Sequence, residues 1–313
     1  MNIPSRIRAP VDAVTSLAVW PYFLLVMAHV GFGSNQIMGK MVEGHVPPVG
    51  LSFWRWVFAV ILILPFVWGD FLKSFSVVRR HWRVLALLAF SLVMLGNTTI
   101  YIALNFTTAI NAGIIPVAQP AVTFLLSWLL FRDRLTPGQA LGAAIAVAGV
   151  LTVLTKGELG SLSGLSFNTG DLWLLVSITG FSLYAVVLRK APKDLSFMVQ
   201  LLWIEIFGVL WLLPVYIWET AAVRPMELDG VTVAAVAWAT LVVAILGMVL
   251  WTAGVKAVGA NKSSVFVYCR LFFITVAALW LLGETVEVYH FVAFAVILAG
   301  LWLVSRADVE VPG

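Results

Sequence analysis

The chain has 313 residues, 62% of them hydrophobic and 11% charged, with a formal charge of +4. A soluble protein is about half apolar and a quarter charged, so this composition excludes an ordinary water-soluble domain. The positive charge is no nucleic-acid signal, because the Lys and Arg residues sit in short loops. Cys269 alone can form no internal disulfide, and four scattered His residues suggest no metal or other cofactor.

Taken in order, a polar tail over 1–19 precedes a first apolar span over roughly 20–41, interrupted by Asn35 and Gln36. That span is too long for a signal-peptide core and lacks a small-residue cleavage site, so it is expected to be retained. The second span, roughly 47–69, carries Trp54, Arg55, Phe58 and Pro65, and the third, roughly 82–103, carries Asn97, Thr98, Thr99 and Tyr101. The fourth, roughly 106–130, holds Asn111, and Gln119 between Pro116 and Pro120. The fifth, roughly 137–155, is rich in small residues (Gly138, Gly142, Ala146, Gly149) that permit close helix packing. A Gly- and Ser-rich linker over 156–168 follows.

The sixth span, roughly 169–190, contains Tyr184, and the seventh, roughly 197–219, contains Trp203, Phe207, Glu205 and Pro214. The eighth, roughly 231–255, contains Trp251, and the ninth, roughly 260–282, contains Ser263, Ser264, Tyr268 and Arg270. The tenth, roughly 288–306, has Ala295 and Ala299, before a tail over 307–313. Each span approaches the ~20 residues that a helix needs to cross hydrocarbon, and helices satisfy their own backbone groups there.

The second five spans repeat the first five. Asp133-Arg134-Leu135-Thr136 matches Glu284-Thr285-Val286-Glu287 at a separation of 151, and Trp54, Phe58 and Pro65 match Trp203, Phe207 and Pro214 at 149. Five spans per copy put the second copy into the bilayer inverted, the architecture of secondary transporters. With the N-terminus inside, the inner segments collect fourteen basic residues, among them Arg6, Arg8, Arg79, Arg134, Arg189 and Lys262, against Lys40, Lys156 and Arg224 outside. This bias places both termini in the cytoplasm. The expected fold is an all-α polytopic membrane protein of ten transmembrane helices, in two inverted five-helix repeats over 20–155 and 169–306.

The run from Pro120 to Leu154, and that from Leu281 to Val304, resemble the end of a repeat in the drug/metabolite transporter superfamily, EamA type. Gly283-Glu284 keeps the Gly-Glu turn usual in that family, whereas the first repeat has Arg132-Asp133. The resemblance covers essentially the whole chain. It implies export of small metabolites, amino acids among them, across a bacterial inner membrane.

A charge near the bilayer centre costs about 2.5–3.5 kcal/mol on insertion scales, so each one needs a reason. By depth, Arg55, Glu205 and Arg270 all fall within about a turn of the midplane. Glu205 and Arg270, at like depth, can form a buried salt bridge; otherwise a substrate carboxylate would meet Arg55, the first choice, or Arg270, and its ammonium Glu205 or the faces of Trp54 and Trp203. The alternative is that the carboxyl of Glu205 carries a proton. The polar set Gln36, Asn97, Tyr101, Asn111, Gln119, Tyr184 and Tyr268 supplies further candidates for substrate contact or for interhelical hydrogen bonds. Trp54 and Trp203, pseudo-equivalent and inside spans, either pack as bulk or wall an aromatic cavity.

The leading reading is a secondary exporter of amino acids, aromatic and other apolar ones. It is expected to work as a monomer in a lipid bilayer, with no nucleic-acid partner and no cofactor. A carrier of sugar phosphates or nucleotide sugars would want more interior cations than two. An intramembrane enzyme would need a nucleophile-and-base set that the spans lack, and no Walker A sequence is present to hydrolyse ATP.

Overall fold

The computed structural model describes residues 19–133, 136–158, 168–259, 263 and 266–306. The tails up to 18 and from 307, most of the linker, and Arg6, Arg8, Arg134, Leu135, Lys262 and Ser264 lie outside the described residues. All regular structure among those described is helical. In chain order it comprises α1 (Trp20–Met41), α2 (Pro48–Ala89), a π-helical stretch (Phe90–Thr98) and α3 (Thr99–Leu104). Next come α4 (Ala109–Ile114), a 3₁₀ turn (Ile115–Ala118), α5 (Gln119–Phe131) and α6 (Pro137–Leu154). The later elements are α7 (Thr169–Leu188), α8 (Phe197–Trp218) with a π turn (Glu219–Val223), and α9 (Gly230–Ala237). A second π stretch (Trp238–Gly247) leads to α10 (Met248–Val258), followed by α11 (Val267–Leu281) and α12 (Val288–Arg306).

Six helices are long and apolar enough to cross a membrane, and shorter apolar helices accompany them. The longest run, Pro48–Leu104, has 57 residues and does not stay straight. The Ser52 and Thr98 hydroxyls lie 2.7 Å apart. A straight helix would separate residues 46 positions apart by roughly 70 Å. Arg55 likewise reaches both Asn97 and Tyr101. The run therefore folds back on itself between Arg55 and Asn97.

Helix starts follow local chemistry. Thr108, Thr136, Asn168, Ser196 and Asp229 each accept a backbone N–H of the following first turn. Such caps satisfy donors that a helix cannot pair internally. Thr136 forms a full capping box with Gln139. α2 starts after Pro47 and has no side-chain cap of its own.

The small residues of α6 do what their size permits. A Cβ on Gly142 would come within 2.5 Å of the Gly300 carbonyl oxygen, and one on Gly149 within 2.6 Å of Ile297, so α6 and α12 pack backbone to backbone. Outward faces are strongly apolar: Phe66 and Leu228 are 87% exposed and Trp280 86%. Water would not tolerate a surface so rich in large apolar groups, whereas lipid chains match it. The chain is a multi-pass membrane protein.

Candidate functional site

α2, α3 and the π stretch between them bring a polar cluster into the bundle interior. Arg55 is buried. Its Nη1 donates to the Tyr101 hydroxyl at 3.0 Å and its Nη2 to Asn97 Oδ1 at 3.2 Å. Tyr101 passes its own proton to Asn35 Oδ1 at 2.6 Å, and Asn97 Nδ2 donates to the Leu92 carbonyl at 2.8 Å. The guanidinium lies 4.5 Å over the Trp56 ring, and the Thr240 hydroxyl donates to the Arg55 carbonyl at 3.3 Å. Each partner thus holds the fork in one orientation, and a planar guanidinium suits such a fork better than a flexible ammonium.

Glu205 on α8 is buried, and the charge acting on it is Arg55's. Among the described residues no ion pair joins Glu205 to Arg270. The expected Glu205–Arg270 bridge is therefore not formed. Arg270 instead lies against α1, its Cγ beside Gly33 and its charge felt by His29. Equal depth placed these two residues in one layer, but α8 packs on α2 while α11 packs on α1.

Several buried polar atoms around this cluster have no hydrogen-bond partner among the described residues: Gln36 Oε1, Arg55 Nε, Trp56 Nε1 and Glu205 Oε2. Buried polar atoms are nearly always paired, and leaving one unpaired costs about 1–3 kcal/mol. Here two donors, Arg55 Nε and Trp56 Nε1, and two acceptors, Gln36 Oε1 and Glu205 Oε2, are left open.

The other sequence candidates go elsewhere. Gln36 Nε2 donates to the Ala112 carbonyl at 2.7 Å, tying α1 to α4. Trp54 turns away from Arg55: its Nε1 donates to the Tyr216 hydroxyl at 3.1 Å, and its ring edges an apolar cleft with Phe58 and Met226. Trp203 is buried in packing, stacked on Phe71 at 4.9 Å with its Nε1 donating to Ser74 at 2.8 Å. Tyr184 is half-buried beside the same cluster, and Tyr268 is half-buried with its ring edge toward Phe294. The Gln119 carbonyl accepts from the Thr123 hydroxyl and from Ser182 on α7. Asn111 belongs to a second network: its Nδ2 donates to Asp171, its Oδ1 meets His290 Nε2 at 3.0 Å, and Thr107 donates to Asp171 at 2.5 Å.

Sequence reasoning passed over Trp56, His29, His290 and two carboxylates at span ends. Glu219 accepts from the Val49 and Gly50 N–H groups at 3.0 and 2.7 Å, supplying the cap that Pro47 cannot. Glu284 accepts from Ala109 and Ile110 at 2.6 and 3.0 Å. These contacts gather at one end of the bundle, together with Arg224–Gly44 and His45–Asp229. There the Thr232 N–H and His45 hold the Asp229 carboxyl below its ordinary range. At the opposite end Asp133 binds Ser127 and Arg189, whose guanidinium lies 3.6 Å over Phe131. The Ser127 hydroxyl, then Arg189, hold the Asp133 carboxyl low.

A multi-pass helical protein with oppositely charged, incompletely paired groups inside its bundle has the makings of a membrane transporter. The chain belongs to the EamA-like transporter family, whose model matches it twice, over residues 19–155 and 168–306. It is 23% identical over 302 residues to the uncharacterized transporter YyaM of Bacillus subtilis (strain 168), covering 93% of this chain and 95% of that protein. It is 24% identical to YetK of the same organism over 90% of this chain and 86% of that one. Human solute carrier family 35 member G1 is 22% identical over 60% of this chain and 52% of its own length. A solved crystal structure, 18% identical, covers 90% of this chain and 94% of its own with a TM-score of 0.56, a likeness of fold. The family and these relatives are transporters, not enzymes.

Proposed function

We propose that this protein is a secondary exporter of amino acids, an exporter of the YddG type within its family. Ten transmembrane helices form two inverted five-helix repeats, with both termini in the cytoplasm of a bacterial inner membrane. The observation that carries the substrate class is the burial of Arg55 and Glu205, each with an open polar atom. The Arg55 charge acts on Glu205, and Arg55 Nε, Glu205 Oε2 and the neighbouring Trp56 Nε1 have no hydrogen-bond partner among the described residues. A zwitterion offers the complement: its carboxylate accepts from Arg55 Nε and Trp56 Nε1, and its ammonium donates to Glu205 Oε2. Charge-assisted bonds of this kind offset the loss of water around both ends of the substrate.

A phosphorylated sugar or nucleotide sugar fits less well. Its double negative charge would face one arginine already opposed by Glu205, with Arg270 set apart on the α1 side.

The test is uptake of a panel of labelled amino acids into liposomes holding the purified protein. Aromatic and branched apolar amino acids should enter in exchange for unlabelled ones inside. If no amino acid is transported while a phosphorylated metabolite is, the zwitterion reading is wrong.

A further inference from the structure

Two carboxylates at one end of the bundle grip helix starts, and their repeat counterparts at the other end do not. The separation of 149 that matches Pro65 to Pro214 also matches Asp70 to Glu219, each five residues beyond its proline. It carries the start of α2 at Pro48 onto the start of α8 at Phe197, and the gripped residues Val49 and Gly50 onto Met198 and Val199. Yet Asp70 is exposed and makes no hydrogen bond among the described residues, facing the first turn of α8 across a cleft of about 310 Å³ lined by Lys73, Ser74, Asp194, Ser196 and Val199. Only the Ser196 hydroxyl takes the Val199 N–H, at a long 3.4 Å. The separation of 151 repeats the pattern: Glu284 grips Ala109 and Ile110, while its counterpart Asp133 binds Ser127 and Arg189 instead.

We propose that Glu219 and Asp70 are alternating latches, each capping the start of the other repeat's helix when its own end of the bundle is shut. The proposal rests on the transporter reading. On this reading, the structure has Glu219 engaged at the outer end, while a cleft separates Asp70 from α8 at the cytoplasmic end. In the opposite state the Asp70 carboxylate crosses the cleft to the Met198 and Val199 N–H groups, and Glu219 releases Val49 and Gly50. Helix starts attract carboxylates through unpaired N–H groups and the positive end of the helix dipole, so either grip is favourable and the two geometries compete. The latches are unequal. Asp70 is one methylene shorter and meets a helix already capped by Ser196, whereas Pro47 leaves α2 wholly dependent on Glu219. The resting protein therefore favours the state with Glu219 engaged.

The test uses the full chain in liposomes, with Cys269→Ser and spin labels at Lys73 and Leu195 across the cleft, or at Glu43 and Leu228 at the other end. Glu219→Gln keeps the size but turns a donor toward the N–H groups. It should shift the ratio of closed to open 73–195 distances upward by about tenfold, ~1.4 kcal/mol, and widen the 43–228 distance. Asp70→Asn should reverse that shift in the Glu219→Gln background and, alone, slow exchange transport. If Glu219→Gln is misfolded by thermal unfolding, Glu219→Asp takes its place with the same expected direction. Distances unmoved in a folded Glu219 variant overturn the latch, as does a transporting protein whose Asp70→Asn variant exchanges at the wild-type rate. A wild-type protein that transports no amino acid refutes the exporter reading, while the distances still decide the latch.

Discussion

Arg55→Lys separates charge from geometry at the proposed site. Both Nη groups of Arg55 are committed, to Tyr101 and to Asn97, and Nε is left to meet the substrate. A lysine ammonium keeps the positive charge opposite Glu205 but supplies no fixed third donor at the Nε position. Losing one hydrogen bond to a charged group costs about 1.5–3 kcal/mol. The half-saturation concentration for an amino acid should therefore rise about tenfold or more, since each factor of ten is ~1.4 kcal/mol. The same change frees either Asn97 or Tyr101, so a smaller loss of thermal stability is expected alongside. The assay is counterflow in liposomes over a range of substrate concentrations, normalised to the folded fraction from tryptophan fluorescence on heating. Arg55→Gln, which removes the charge as well, should be worse. Wild-type exchange in both variants would refute the assignment and leave Arg55 as a structural clamp on Asn97 and Tyr101.

Other expectations follow from packing and backbone. Gly142→Val should destabilise the protein by about 1–3 kcal/mol, since its Cβ would be pressed against Gly300; Gly69→Ala, where nothing lies within 4 Å, should stabilise it by about 0.5–1 kcal/mol. Thermal unfolding of both in one detergent checks the contrast, and equal effects would refute it. Arg132 holds a left-handed φ of 56°. Arg132→Gly should raise stability by about 0.5–1 kcal/mol, because only glycine takes that conformation without strain. A fall in unfolding temperature would contradict this. The Asp133 carboxyl titrates below its ordinary range through Ser127 and Arg189. A depressed folded value means stability present above the unfolded pKa of about 3.9, and lost as pH falls through the folded one. Wild type should lose more stability than Asp133→Asn on acidification from pH 5 to 3, and parallel curves would show that the contact contributes nothing.

Sequence periodicity read the molecule well along the membrane normal and poorly around it. Span limits such as 20–41 and 137–155 lie within a residue of α1 and α6, because apolar length and turn residues are local properties. The repeat was legible even where chemistry departs: Arg132 adopts the left-handed turn that Gly283 adopts at φ 66°, 151 residues on. Depth, however, does not report which way a side chain faces. Glu205 and Arg270 were expected in one layer but belong to helices packed on different neighbours, and the Arg55 charge acts on Glu205 instead. Trp54 and Arg55 are adjacent, yet 100° of helix rotation sends one to Tyr216 and the other to Tyr101. Asn111 was legible as a buried polar group but not as a partner of Asp171 and His290, since that contact joins distant spans. The mutual capping of Glu219 and the start of α2 was missed because glutamate at a span end reads as ordinary interfacial polarity.

The π-helical stretch Phe90–Thr98 has its match in Trp238–Gly247, and neither contains a proline. A π turn takes in one more residue than an α turn, and so sets carbonyls opposite side chains five positions ahead. The Asn97 amide bonds the Leu92 carbonyl and the Thr98 hydroxyl the Val93 carbonyl in just this way. The widened coil acts as a rotational offset between the first half of its helix and the second. The same residues wound as plain α-helix would swing everything beyond by roughly 100°. Tyr101 would then leave Arg55, and an adjacent apolar residue, Ile100 or Ile102, would face the polar cluster in its place. Composition alone tolerates either coil, since the span stays apolar and long enough. Register does not, and the alignment of the whole polar cluster hangs on the extra residue in that coil.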